Sequence, residues 1–188
     1  MRTTVNRAAV LLPLLLGACA GTPVEPHEYL LPMPARSLPT SGDAPVRLLP
    51  VTIAPYLDQQ GIVLQTAGAE VHVARQNRWA EPLDAAVDRY LQVAIANATG
   101  RVVEVAPLTT RTAETMVQVR VQQLHGSTDG SVRLAAEWTV SAPTGSAVLH
   151  TFEATESQRA DGYPALVDAH AALLERLAAA IAGSLDEP

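Results

Sequence analysis

TMVQVRVQ at residues 115–122 and VRLAAEWTV at residues 132–140 alternate apolar and polar side chains with a period of two. This period is typical of β-strands with one buried face. The sequence STDGS at 127–131 lies between the two stretches and favours a hairpin turn. A second turn is predicted at 143–145, followed by another strand over 147–154. Three strands that share one apolar face are therefore predicted in the second half of the chain.

Two amphipathic helices are predicted on either side of these strands. The first covers 82–98, where Pro82 suits the first helical turn, and the second covers 163–185. The apolar positions that recur at helical spacing are Leu83, Val87, Tyr90, Leu91, Ala94 and Ile95 in the first helix, and Leu166, His170, Leu173, Leu177 and Ile181 in the second. Each helix therefore has one face suited to covering a sheet.

The order of elements along the chain predicts the fold class. Residues 46–53 are predicted as one largely buried strand, 62–65 and 70–74 as a short hairpin, and 101–105 as a strand after the first helix. Strands, helix, strands and helix then follow one another. We expect an α/β fold: a single domain over 46–188 with two or three layers, in which a mixed, mainly antiparallel sheet packs against two long helices.

The N-terminus has the pattern of an exported bacterial lipoprotein. Residues 1–18 combine two arginines, a short apolar run and the triplet Leu16-Gly17-Ala18 directly before Cys19, the only cysteine in the chain. This pattern is typical of a signal peptide with a lipobox, which is cut before the cysteine. Two alternatives are a cysteine that serves as a small buried apolar residue and an ordinary signal peptide that contains a cysteine near its cut.

Acylation of Cys19 would anchor the chain to a membrane. The expected modification is a diacylglycerol with a further amide-linked acyl chain, which holds a protein more firmly than one chain does. Ala20, where an aspartate would favour the inner membrane, favours the outer membrane, with the protein facing the periplasm. Residues 19–45 are rich in proline and are predicted as a lipidated tether. The alternative is that part of this stretch docks on the body, with residues 28–31 as a short edge strand.

Composition and spacing exclude several classes of function. The formal charge is −6, and removal of Arg2 and Arg7 with the signal peptide makes it −8. An acidic protein without a basic run is a poor binder of nucleic acid. The histidines are scattered, and neither zinc spacing nor a nucleophile elbow is present, so we expect no metal, no cofactor other than the lipid on Cys19 and no enzymatic activity.

Several motifs in order resemble one known family. They are YLLP at 29–32, VTIAPYLD at 51–58, GIV at 61–63, NRWAEPL at 77–83 and GSVRLAAEW at 130–138. The chain is similar in these motifs to the ABC-type transport auxiliary lipoproteins, the PqiC family. WAEPL at 79–83 is the most specific of them. Residues 107–114 match no motif and are given no role.

The resemblance implies a function in lipid transport between the inner and outer membranes. The expected partners are an MCE-domain protein of the periplasm, the permease and ATPase of an ABC transporter, and further copies of the chain in a homo-oligomeric ring. The expected role is to dock the MCE component at the outer membrane. The alternatives are a free-standing lipid-binding carrier with its own apolar cavity and, with no support from spacing, an envelope enzyme.

Three residues are candidates for contact with a partner. Tyr56 and Leu57 follow Pro55 in a predicted loop between strands, where exposed aromatic side chains often bind partners. Trp79 precedes the first helix. For Trp79 the alternative is that it packs on the sheet, because apolar motifs more often belong to a core than to a contact surface.

Overall fold

The computed structural model describes residues 25–105, 115–143 and 146–185. In this part of the chain, nine strands form one sheet and two long helices pack on one of its faces. The strands are β1 (His27–Tyr29), β2 (Val46–Leu48), β3 (Thr52–Ile53), β4 (Gly61–Gln65), β5 (Val71–Trp79), β6 (Val103–Val105), β7 (Thr115–Ser127), β8 (Ser131–Ser141) and β9 (Ala147–Ser157), and the helices are α1 (Leu83–Thr99) and α2 (Tyr163–Ser184). The predicted α/β fold class is confirmed.

The sheet has one covered face and one open face. Along β7, Val119 and Val121 are fully buried, whereas Gln118 and Arg120 are exposed. The alternation of apolar and polar residues in the sequence matches the covered and open faces, since successive side chains of a strand point to opposite faces. Both helices lie on the side of the valines, and the fold therefore has two layers.

Strand β7 is the centre of the sheet. One of its edges pairs antiparallel with β8 from end to end, and β8 pairs in the same way with β9. The other edge is shared by β2, β3 and β4, which follow one another along β7 and are all parallel to it. Each of these parallel ladders joins only two or three residue pairs, so the paired residues are mainly antiparallel, as predicted.

The sheet branches beyond β7. Near the beginning of β7, β2 also pairs with β6. Near the end of β7, β4 also pairs with β5, and β5 pairs in turn with β1. A single strand thus supports two arms of the sheet. The arm through β5 explains why this strand continues to Trp79, beyond the hairpin that the sequence predicts: its last residues pair with β1.

The prediction of one strand over 46–53 is wrong. Leu48 pairs with Val117 and Thr52 with Arg120, so this segment has one residue more than β7 between the two pairs. Pro50 has no backbone N–H to give to a ladder. The backbone N–H of Val51 is instead bonded to Asp88 Oδ1. The segment therefore divides into β2 and β3 at Pro50.

Polar side chains inside the core are paired with groups of α2. The indole N–H of Trp138 donates to Ser184 Oγ at 2.9 Å, and that hydroxyl donates to the carbonyl of Ile181. The Tyr90 hydroxyl donates to the carbonyl of Ala171 at 2.9 Å, which links α1 to α2. These bonds satisfy groups that would be costly to bury unpaired.

A segment that we call the strap, residues 30–45, runs along α1. It begins beside the N-terminal end of the helix, where the N–H of Ala80 donates to the carbonyl of Tyr29. It ends beside the C-terminal end, where the N–H groups of Thr40 and Ser41 donate to the carbonyl of Gly100. Part of the predicted tether thus docks on the body, and a short strand is present at β1, 27–29, where 28–31 is the predicted range. The predictions for residues 1–18, Cys19 and 107–114 lie outside the described residues.

Candidate functional site

Tyr56 lies in a single 3-10 turn, Pro55–Leu57, between β3 and β4. Its hydroxyl donates to Nδ1 of His125 at 2.8 Å, and the two rings meet edge to face. On the other side of the imidazole, Nε2 lies 3.3 Å from Oε1 of Gln65. Since that amide oxygen only accepts, the proton of the ring is on Nε2 and Nδ1 is the acceptor.

The pair of Tyr56 and His125 is neutral. Burial raises the pKa of the Tyr56 hydroxyl, and burial lowers the pKa of His125, which Arg133 on the neighbouring strand lowers further. Both shifts keep the protons where the hydrogen bonds place them. The arrangement therefore fixes the orientation of a half-buried tyrosine and does not prepare a nucleophile or a base.

Leu57 differs from its neighbour because it is a core residue. Only 1% of its surface is exposed, and it belongs to the same apolar cluster as Leu31 and Ile62. The expectation that Leu57 lies on a loop where a partner could contact it does not fit this position. Its burial anchors the 3-10 turn and thereby presents Tyr56.

Trp79 is also buried. Its ring packs edge to face on His170 of α2, with the ring centres 5.5 Å apart. Nδ1 of His170 donates to the carbonyl of Leu166 at 2.7 Å, and complete burial lowers the pKa of this histidine to about 4. This geometry favours the packing alternative for Trp79, and a direct role in binding stays a prediction.

A surface cleft of about 490 Å³ lies next to Trp79, where α1 begins. Its walls are Glu28, Asp58, Gln59, Gln60, Arg78, Trp79, Ala80, Glu81, Pro82 and Leu83. Backbone bonds hold it in shape, since the N–H of Trp79 donates to the carbonyl of Gln60 at 2.7 Å. Glu81 forms an ion pair with Arg89 of α1, eight residues further along the chain. All five residues of the WAEPL motif therefore line this cleft, which we call the acidic cleft because three carboxylates and one arginine line it. Residues 58–60, shortly after Tyr56 in the sequence, line it as well.

Two groups of exposed apolar side chains were not singled out by the sequence analysis. Leu30, Met33 and Leu38 lie on the strap, and Val148 and Leu149 lie at the beginning of β9. The strap residues lie among prolines, which favours an interpretation as a linker. The sequence of a linker does not show which of its apolar side chains are exposed on the folded protein. Among the described residues β9 pairs with β8 alone, which follows only from the topology.

Neither a metal site nor a membrane-spanning helix is found among the described residues. Within 25–105, 115–143 and 146–185, no three His, Cys, Asp or Glu side chains come together as a metal site. Among the same residues, neither helix is both long and apolar enough to cross a membrane.

Comparison with known proteins gives the family. The family described as ABC-type transport auxiliary lipoprotein component matches residues 29–182. The chain is 30% identical over 173 residues to the intermembrane transport lipoprotein PqiC of Escherichia coli (strain K12), a match that covers 90% of this chain and 91% of the relative. The PqiC protein of Shigella flexneri matches equally well.

Solved structures have the same fold. A crystal structure of an uncharacterized protein, 27% identical, superposes with a TM-score of 0.75 and covers 86% of this chain and 99% of its own. The protein XCC0632 from Xanthomonas campestris, at 14% identity and a TM-score of 0.66, covers 84% and 94% respectively and shares the fold alone. The family match spans the strap, α1 and most of the cleft and of α2, and the chain belongs to the ABC-type transport auxiliary lipoproteins.

Proposed function

We propose that this chain is an outer-membrane-anchored auxiliary lipoprotein of an MCE-type phospholipid transport system, facing the periplasm, and that it docks the periplasmic MCE component. The observation that carries the proposal is the similarity to intermembrane transport lipoproteins over nine-tenths of the chain. The lipobox at Cys19 supplies the anchor, through a diacylglycerol and an amide-linked acyl chain. The names of the family and of its relatives describe transport rather than catalysis, in agreement with a protein that is not an enzyme.

The surface around Tyr56 and the acidic cleft is the proposed docking site. Tyr56 offers an aromatic ring whose hydroxyl is already paired with His125, so little side-chain freedom is lost when a partner binds. Leu57 and Trp79 support this surface from the core. A partner segment that carries basic or amide groups would complement Glu28 and Asp58.

The ring assembly has a structural candidate in β9. In the described part of the chain this strand pairs with β8 alone, and its outer edge extends over eleven residues. Such an edge is a template for another strand, and Val148 and Leu149 would be covered by the neighbouring copy. We expect light scattering of the detergent-solubilised lipoprotein to give a closed oligomer. A monomer across a wide range of concentrations would contradict the ring.

The carrier alternative is less well supported. A carrier needs an apolar cavity between sheet and helices, but Leu134 of β8 and Leu173 and Leu177 of α2 are completely buried in one cluster. The cleft beside Trp79 is open and has a polar rim. Stoichiometric lipid in the purified protein would revive this alternative.

The decisive experiment is a pull-down of the full-length lipoprotein from native envelopes in mild detergent, with partners identified by mass spectrometry. Recovery of an MCE-domain protein, with or without a permease and ATPase, is the expected result. Tyr56→Ala should reduce this recovery several-fold, whereas His72→Ala on the exposed part of β5 should not. Recovery of the lipoprotein alone, even after crosslinking, would contradict the docking role, and outer-membrane fractionation of Cys19→Ala would contradict the anchor.

A further inference from the structure

The strap exposes three large apolar side chains within nine residues. The exposed fractions are 61% for Leu30, 40% for Met33 and 86% for Leu38. Single exposed apolar residues are normal on protein surfaces, but a group of them on one segment indicates a contact. Because Leu31 between the first two is buried, the segment is ordered and its outer side is apolar.

The backbone that presents these side chains is held in place. Oδ1 of Asn97 in α1 accepts the N–H of Ser37 at 2.9 Å, and Nδ2 of the same amide donates to the carbonyl of Ala35 at 2.8 Å. Two residues beyond Leu38, Thr40 is bonded to the carbonyl of Gly100 at 2.9 Å. Leu38 is therefore fixed between two anchoring points with its side chain in solvent.

The chain between the lipid anchor and the strap is short. From Cys19 to His27 there are eight residue steps, which span at most about 28 Å when fully extended. A domain of this length is about 40 Å across. His27 and the beginning of the strap therefore lie within about 28 Å of the bilayer to which Cys19 is attached, close enough for the strap to reach it.

The charge of the strap suits a lipid surface. Residues 29–42 contain no aspartate or glutamate and one arginine, Arg36, in a chain whose formal charge is −6. An anionic headgroup layer repels acidic surfaces and attracts an arginine that stands beside apolar side chains. Tyr29 precedes this stretch, and Asp43 is the first acidic residue after it.

We propose that the strap rests on the lipid surface, with Leu30, Met33 and Leu38 at the boundary between headgroups and acyl chains. The proposal rests on the lipid anchor at Cys19. It adds a second contact with the membrane, which fixes how the domain is oriented and not only where it is held. The occupant is a phospholipid bilayer, and contact of the strap with a protein partner is the competing outcome.

The test uses the mature lipoprotein in vesicles of phosphatidylethanolamine and phosphatidylglycerol. Cys19 is acylated, so a cysteine introduced by Leu30→Cys or Leu38→Cys is the only free thiol and takes a nitroxide label. Val71→Cys is the control, because Val71 is also exposed but lies at the beginning of β5, eight residues before Trp79, where this strand pairs with β1. The measurement is the accessibility of each label to lipid-soluble oxygen and to a water-soluble nickel chelate.

We expect the ratio of oxygen to nickel accessibility to be several-fold higher at residues 30 and 38 than at residue 71. Equal ratios in protein that floats with the vesicles would overturn the strap contact and leave the anchor intact. In another outcome, the labels at residues 30 and 38 become immobile only when envelope proteins are added, without higher oxygen accessibility. This result would overturn the strap contact with lipid in favour of a protein partner. Protein that does not float, with no acyl mass on Cys19, would overturn the anchor itself.

Discussion

Oδ1 of Asp88, on α1, lies 2.7 Å from the backbone nitrogen of Val51 and accepts its hydrogen bond. Val51 lies between β2 and β3, in the segment that has one residue more than β7 and cannot follow its ladder. The helix thus provides the acceptor that the sheet does not. An unpaired buried N–H would be costly, so this carboxylate is a structural group.

We expect Asp88→Ala to lower the free energy of unfolding by about 1–3 kcal/mol, because it leaves the N–H of Val51 buried without an acceptor. Asp88→Asn keeps an amide oxygen at the same place and should lose much less. Burial also raises the pKa of Asp88, and the neutral amide removes the cost of keeping a charge there. Urea unfolding measures both, with the exposed Asp168→Ala of α2 as the control. Equal losses for Ala and Asn would contradict the assigned hydrogen bond.

His170 should make the folded state sensitive to acid. Its pKa falls from 6.5 to about 4 in the folded protein, so between these values the unfolded chain binds a proton that the folded one excludes. Stability then rises with pH through this range and is lost as pH falls, by a total on the order of 3 kcal/mol.

The pH dependence is checked by measuring unfolding at several values between pH 4 and 6.5. His170→Leu should flatten the dependence, and His72→Leu, which changes an exposed histidine, should leave it as in the natural sequence. A dependence that is the same with and without His170 would show that other groups cause it.

Gly126 should not tolerate a side chain. A Cβ at this position of β7 would lie 2.6 Å from methyl groups of both Leu166 and Leu64. We expect Gly126→Ala to destabilise the protein by about 1–3 kcal/mol, as overpacking does. Gly42→Ala is the control, because nothing lies within 4 Å of its added methyl. In the Gly126→Ala, Leu166→Ala double variant the loss should be smaller than the sum of the two single losses.

Asn97→Ala should release the middle of the strap. Both hydrogen bonds of the side-chain amide are lost, and with them about 1–2 kcal/mol of local stability. Hydrogen exchange of the Ser37 amide should become roughly tenfold faster or more. The Thr40 amide, bonded to Gly100, is the internal reference and should change less. Unchanged exchange at Ser37 would mean that the strap is held by other contacts.

The sequence predicts well those elements whose burial follows a local period. In β8, Val132, Leu134, Ala136 and Trp138 are buried as the alternation predicts, because each strand position reports which face it occupies. The branching around β7 could not be predicted in this way. Pairs such as Val46 with Thr115 join segments on opposite sides of a helix, and no local pattern records them.

The candidate site was harder to predict for a related reason. Leu57 and Tyr56 are adjacent and both suit a contact surface, but only the fold buries the first and leaves part of the second in solvent. The prolines of the strap predict an extended chain, and residues 30–45 contain neither helix nor strand. The contact with Asn97, sixty residues away in sequence from Ser37, then turns a predicted tether into a fixed surface.

The position of β7 also determines the order in which the chain can fold. The strands β2, β3 and β4 precede it by a whole helix and share its edge, so they gain these ladders only when residues 115–127 are available. As the chain is synthesised from its N-terminus, the β4–β5 hairpin and α1 can form early, but the sheet stays incomplete until β7 is available. Such non-local pairing is slow, and we expect the late closure to keep the first half of the chain loose during synthesis.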